Sequence, residues 1–185
     1  MKKEIIRLAS VLFAICFIVT LILALANSVT APRVAQIKAE NTIQMQKKVL
    51  PDADSFSQYE KDDRVVVGTT SGSFAGLCVN IAPQGFGDTI EMIVGIDKNG
   101  TVSGVEILSF SETPGLGSKA KDASFLEQFQ GKTGQIEVVK GGGAAGNQVD
   151  AITAATITSK AVTQGVNDAL SIYNEVVEGG GFNAE

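Results

Sequence analysis

From Leu8 to Pro32 the chain carries no charged residue, and Leu8 to Ala26 is almost wholly apolar. At about 1.5 Å of rise per residue, a helix of that length crosses the roughly 30 Å hydrocarbon core of a bilayer. The pattern therefore predicts one transmembrane helix over residues 8–30. Lys2, Lys3 and Arg7 precede it, and positive charge is retained on the cytoplasmic side. That places residues 1–7 in the cytoplasm and everything beyond Pro32 outside. Ala24-Leu25-Ala26 also fits a small-residue cleavage site. Signal-peptide apolar cores, however, run to about 7 to 15 residues, and this one is longer. Residues 31–63 read as a stalk or linker: polar and helix-compatible from Pro32 to Leu50, with Val34, Ile37 and Ile43 as scattered apolar points, and ended by Pro51.

The patterning then changes. Val65-Val66-Val67, Gly76 to Ile81, Thr89 to Ile96 and Val102 to Leu108 read as strands, bounded by turns at Gly68, Pro83 to Gly87 and Asp97 to Gly100. Lys98-Asn99-Gly100, between two apolar runs, carries the Asn-Gly pair of a tight hairpin. Ala120, Ala123, Leu126 and Phe129 recur at spacings of three and predict a helix over Ser118 to Phe129, followed by a short strand at Ile136 to Val139. Val162, Val166, Ala169, Leu170, Tyr173 and Val177 predict an amphipathic helix that opens at Ile157 to Ser159 and stops at Gly179-Gly180-Gly181. Strands, helix, strand, helix imply an α+β domain over 64–178, with helices packed on an antiparallel sheet, and a flexible tail at 179–185.

Composition narrows the chemistry. The 185 residues leave room for a single extracytoplasmic domain of ordinary size. They include no histidine, which removes Ser-His-Asp and Cys-His catalysis, histidine zinc sites and histidine-held haem. Cys16 lies in the apolar run and Cys78 far from it, so the two neither hold an iron–sulfur cluster nor pair. A redox cofactor, if any, is organic. No catalytic residue and no metal site is expected. A net charge of −5 argues against a nucleic-acid surface.

One segment carries candidate chemistry: DAITAATITS, Asp150 to Ser159, at the start of the last predicted helix. Free amides and the positive end of the dipole favour an anion there, and a threonine just upstream supplies an ester oxygen. Thr153, Thr156, Thr158 and Ser159 are equally the residue types that cap helices. Two glycine-rich loops frame the segment, Thr113 to Gly117 and Gly141 to Gly143, where backbone can approach a flat ring or a phosphate closely.

Asp150, Thr153, Ala155 and Thr156 match the flavinylation motif found in the G subunits of Rnf electron-transport complexes and in the related C subunits of sodium-pumping quinone reductases. That motif is aspartate, two variable residues, Ser or Thr, Gly, Ala, Thr, and Ala154 replaces its glycine. GIDKNGTVSGVEILSF from Gly95, SETPGLGSK from Ser111 and FLEQFQGK from Phe125 resemble the G-subunit pattern in the same order, covering most of the chain beyond residue 70. The resemblance implies FMN held as a phosphoester on Thr156, with Asp150, Thr153, Ala154, Ala155 and Thr158 around the attachment point. Glu112, Thr113, Gly115, Leu116 and Gly117 are implied as ring or ribityl contacts. It further implies a retained single-pass anchor in the cell (inner) membrane and, as partners, the other membrane subunits of a complex coupling ferredoxin oxidation and NAD reduction to ion pumping. A flavin transferase using FAD and magnesium would make the bond. Phe110 stands where relatives often have histidine, and Asp88 where a related GYGG segment has glycine. From the residues alone, two other classes stay open: a stand-alone extracytoplasmic flavin-dependent reductase, and an anchored sensor or ligand-binding domain whose threonines merely cap.

Overall fold

A computed structural model of the protein describes residues 2–179. The chain divides into two compact units, up to Thr42 and from Ile43 onward. Helix α1, Lys2–Val49, continues through Pro32 and supplies the first unit and the opening of the second. Among the described residues no helix is long and apolar enough to cross a membrane, and the span expected over 8–30 falls partly on side chains outside them. Those described, such as Phe13, Phe17, Leu21 and Leu25, are exposed. Beyond Gly179, the tail expected at 179–185 also lies outside the described residues.

The second unit is built on a five-stranded antiparallel meander of β1 (Ser55–Gln58), β2 (Val65–Thr70), β3 (Ser73–Ile81), β4 (Glu91–Asp97) and β5 (Val102–Ser109), in that order. Asp97 closes the β4–β5 hairpin, its Oδ1 accepting from the amides of Asn99 at 2.8 Å and Thr101 at 2.9 Å. Alternate residues reach opposite faces of a strand. Val65, Val67, Leu77, Val79, Met92, Val94 and Ile96 fill the larger core on one face. Val66, Ala75, Cys78 and Ile93 meet Val49, Leu50 and Ala53 on the other. Burial on both faces is why these strands read as unbroken apolar runs. Ser103 Oγ holds the end of α1 down by donating to the Val49 carbonyl at 2.5 Å, and Lys48 pairs with Glu106 beside it.

Three differences from the sequence-based expectation have physical causes. β1 lies inside the stretch expected to be stalk, paired to β2 with mostly exposed residues whose pattern carries no alternation of hydrophobicity. The helix expected over 118–129 is three short pieces: a 3-10 turn at Gly117–Lys121, α2 at Ala123–Leu126 and a 3-10 turn at Glu127–Phe129. Asp122, extended at φ −67° and ψ 134°, interrupts it, leaving Ala123 exposed while Phe125 joins Ala120, Leu126 and Phe129 in the core. Finally, β6 (Glu137–Val139) pairs in parallel with an unforeseen β7 (Gln148–Asp150). Parallel pairs usually need a crossover of a dozen residues or more. Here the short loop between them is held by the Asp150 carboxylate, which accepts from the amides of Gly143 at 3.0 Å and Ala144 at 3.4 Å.

Helix α3, Thr156–Glu178, crosses the larger core with Val162, Val166, Ala169, Leu170 and Tyr173 buried as its spacing predicts. Buried Asn167 ties it to the chain entering β6: its Oδ1 accepts from the Ile136 amide at 2.9 Å and its Nδ2 donates to the Ile136 carbonyl at 3.0 Å. Tyr173 Oη donates to the Lys98 carbonyl at 2.9 Å, fixing α3 to the β4–β5 hairpin. The start of α3 is thereby set beside the chain leaving β5.

Candidate functional site

Three segments distant in sequence meet at that point. Phe86 from the β3–β4 loop, Glu112, Thr113, Leu116 and Gly117 after β5, and Ala154 to Thr158 at the start of α3 line a cleft of ≈ 350 Å³. That is the lower end of the size range of small-molecule sites. Its walls are largely apolar, and Glu112 is the one ionisable side chain among its lining residues. Leu116, Phe86 and Ile157 are 42%, 66% and 56% exposed, unusually open for large apolar side chains grouped round one cleft.

Glu112 organises the junction. Its Oε1 accepts from the amides of Phe86 at 2.8 Å and Gly87 at 3.2 Å, and its Oε2 accepts from Thr158 Oγ1 at 2.8 Å. The glycines beside it make this possible, because a Cβ at Gly117 would stand 2.5 Å from Oε2 and one at Gly85 would collide with Oε1.

The start of α3 settles the capping question for its own hydroxyls. The N-cap position is Ala155, and no side chain caps the helix. Thr156 is the first helical residue rather than the one ahead of it. Ser159 Oγ is buried, donating to the Ala155 carbonyl at 2.9 Å and accepting from the Ile152 amide at 2.9 Å. Thr158, 2% exposed, gives its hydroxyl to Glu112. The first-turn amides, which have no acceptor within a helix, thus receive none from a capping side chain. Their partial positive charge is left for an anion. Ala154 turns the chain into this helix at φ 62°, the left-handed region where glycine is at ease.

Of the residues singled out from sequence, the structure brings together Glu112, Thr113, Leu116, Gly117, Ala154, Ala155, Thr156 and Thr158. Asp150, Thr153 and Gly115 do not line the cleft. Asp150 clamps the loop before β7, Thr153 is exposed, and the Gly115 amide donates to Ser118 Oγ at 2.8 Å to shape its own turn. Phe110 lies under Lys121, whose Nζ is 4.4 Å from the ring centroid, and also stays off the lining. Phe86 and Ile157 were not foreseen. The only signal for them was an aromatic inside a glycine-rich turn and an isoleucine off the buried stripe of α3. No metal-holding cluster of acidic or cysteine residues occurs among the described residues. The groups with displaced pKa values lie elsewhere: burial pushes the Cys78 thiol up to about 12, burial and then the Asp97 charge raise the Tyr173 phenol, and hydrogen bonds from Arg64 lower Asp62.

An apolar cleft with an uncapped helix start in its wall suits a ligand that joins a flat ring to an anionic group. Residues 85–171 match the FMN-binding domain family, and that stretch contains every residue lining the cleft. The chain is 33% identical to the G subunit of the Na(+)-translocating ferredoxin:NAD(+) oxidoreductase complex of Acetobacterium woodii, over 94% of this chain and 94% of that one. It is 32% identical to the G subunit of the proton-translocating ferredoxin:NAD(+) oxidoreductase complex of Clostridium ljungdahlii, over 84% of each. Among solved structures, the C subunit of the Na(+)-translocating NADH-quinone reductase of Parabacteroides distasonis is similar at a TM-score of 0.51 and 28% identity, over 59% of both chains. With near-complete coverage by relatives of one kind and the cleft inside the shared domain, the chain belongs to the family of G subunits of ion-translocating oxidoreductase complexes that carry an FMN-binding domain.

Proposed function

We propose that this protein is the membrane-anchored electron-transfer subunit of an ion-translocating ferredoxin:NAD oxidoreductase complex, carrying FMN as a phosphoester on Thr156. One observation carries the choice of threonine. Of the four hydroxyls around the start of α3, Thr158 and Ser159 are buried and hydrogen-bonded, Thr153 lies off the cleft, and Thr156 lines it. A phosphate ester at the first helical residue meets the uncapped amides and the positive end of the dipole. Phe86, Leu116 and Ile157 supply apolar surface for the ring, with Glu112, Thr113, Gly115 and Gly117 shaping the ring-side loop and Asp150, Thr153, Ala154 and Ala155 the attachment loop. FMN, when bound, supplies the electron exchange, and the protein holds it in place and sets its surroundings.

A separate flavin transferase, acting on FAD with magnesium, makes the bond. Glu112, the one ionisable side chain lining the cleft, already accepts from the Phe86 and Gly87 amides and from Thr158 Oγ1. The partners in electron transfer are the other membrane subunits of the complex. Residues 8–30 anchor the chain in the cell (inner) membrane with the N-terminus cytoplasmic and the flavin domain outside, as the uncharged run and Lys2, Lys3 and Arg7 favour. The absence of a side-chain cap at the Ala155 N-cap supports this reading over the sensor alternative, in which the threonines only cap.

The test is co-expression with a flavin transferase, followed by in-gel fluorescence under denaturing conditions and peptide mass spectrometry. Wild type and Thr153→Val should carry an FMN adduct on the peptide containing Thr156, and Thr156→Val should carry none while remaining folded. An adduct on Thr153, or none in the wild type, would overturn the assignment.

A further inference from the structure

We infer that Glu112 is the positioning residue of the cleft: its carboxylate ties the Phe86–Gly87 loop to the start of α3, and its charge holds the reduction potential of the bound flavin down. This rests on the flavin site proposed above.

The three donors that meet on this carboxylate come from two segments distant in sequence. The Phe86 and Gly87 amides belong to the β3–β4 loop, and the Thr158 hydroxyl belongs to the first turn of α3. An ionised carboxylate is acceptor-only, with room for about four hydrogen bonds, so all three can be satisfied together. The site is built for it. Side chains at Gly85 or Gly117 would occupy the space of its two oxygens, and the Thr158 donor is 2% exposed. Without Glu112 the two amides and the hydroxyl lose the common partner that joins the loop carrying Phe86 to the helix carrying Thr156.

The second consequence is electrostatic. Glu112 is the only ionisable residue lining the cleft, so no cation in the lining offsets it. In a partly desolvated cleft a fixed negative charge opposes the addition of electrons to a neighbouring ring more strongly than it would in water. Removing it makes reduction easier and moves the potential to more positive values.

Glu112→Gln separates the two roles. The carboxamide oxygen can still accept from both amides, and its NH₂ can donate to Thr158, whose hydroxyl is donor and acceptor. The network survives while the charge is lost. Glu112→Ala loses both. In full-length protein without flavin, amide hydrogen exchange at Phe86 and Gly87 should be unchanged in Glu112→Gln and about tenfold faster in Glu112→Ala, the consequence of one lost hydrogen bond of ordinary strength. In flavin-loaded protein the midpoint potential should rise in both variants, with retained covalent flavin. Exchange in Glu112→Ala equal to wild type would overturn the positioning role. A potential in Glu112→Gln equal to wild type would overturn the electrostatic one. Either result on a wild type that bears flavin at Thr156 leaves the proposed function standing. Conversely, a wild type without flavin defeats that function, while the exchange measurement still decides the positioning role.

Discussion

Ala154 occupies the position where the flavinylation motif usually has glycine, and it does so at φ 62°. The left-handed conformation costs a non-glycine residue about 1–2 kcal/mol. Replacing alanine by glycine in turn costs about 0.4–1 kcal/mol through the freer unfolded chain. The strain is the larger quantity, so Ala154→Gly should raise stability to urea by up to about 1 kcal/mol, and Ala154→Val, β-branched at positive φ, should lower it. A clear loss of stability in Ala154→Gly would show that the strain is relieved by other means. Cys78 gives a pH-dependent test. Folding raises its thiol pKa from 9.0 to about 12 because burial penalises the thiolate. The neutral thiol is therefore the form that folding favours, and its contribution is complete below pH 9 and lost as the pH rises through 9 towards 12. Tyr173, also raised, contributes in the same direction. Unfolding curves from pH 8 upward should flatten in part in Cys78→Ala, and native Cys78 in a Cys16→Ala background should resist thiol reagents until the chain unfolds. At this scale the sequence disclosed the hydroxyls and the glycine-rich loop, because their chemistry is intrinsic to the residue. It did not disclose Phe86 or Ile157, whose place in the cleft arises only when three separate segments meet, nor that Asp150 clamps the loop before its own strand.

Elements were legible to the extent that local pattern and packing agree. Strands β2 to β5, the Asn99-Gly100 hairpin and α3 carry hydrophobic periodicity that tertiary packing then uses, and the structure forms all of them. The segment from Gly117 to Phe129 has a spacing of three, which is the period of a 3-10 turn rather than of an α-helix, and it is broken at Asp122. β7 is three residues long and owes its existence to pairing with β6, information no local pattern holds. Asn167 shows the same limit. It sits among the apolar residues of α3, yet it serves as hydrogen-bonding partner to both backbone groups of Ile136. Asn167→Ala would leave a buried donor and a buried acceptor unpaired, each costing about 1–3 kcal/mol, so a loss of at least about 2 kcal/mol is expected in urea unfolding. Asn167→Asp should also destabilise, because a carboxylate cannot donate to the Ile136 carbonyl. A change below about 0.5 kcal/mol in Asn167→Ala would mean that water replaces both bonds without penalty.

At the scale of the whole molecule, the FMN-binding domain and the N-terminal helix differ in where their apolar side chains lie. The domain buries its apolar residues in two cores on either side of the sheet. The described side chains from Leu12 to Leu25 remain exposed, an apolar surface that water does not tolerate at such length. The membrane anchor proposed above would place that surface in a bilayer, with Lys2, Lys3 and Arg7 on the cytoplasmic side. The protein should stay with membranes through high salt and carbonate and be released by detergent. A reporter fused after Glu185 should be active only if it works outside the cytoplasm. Ile18 lies near the middle of the run, where an arginine costs roughly 2.5–3.5 kcal/mol on insertion scales. Ile18→Arg should accordingly lower the membrane-inserted fraction, and with it the flavinylated fraction if the transferase acts outside. A lysine at Ile43, beyond the span, should change neither. Activity of a cytoplasm-only reporter at the C-terminus would reverse the orientation, and a mature chain beginning at Asn27 would replace the anchor by a cleaved signal. Either finding would place the cofactor's electron partners elsewhere, because the proposed anchor is what would keep the flavin on one side of the membrane and within reach of the subunits embedded in it.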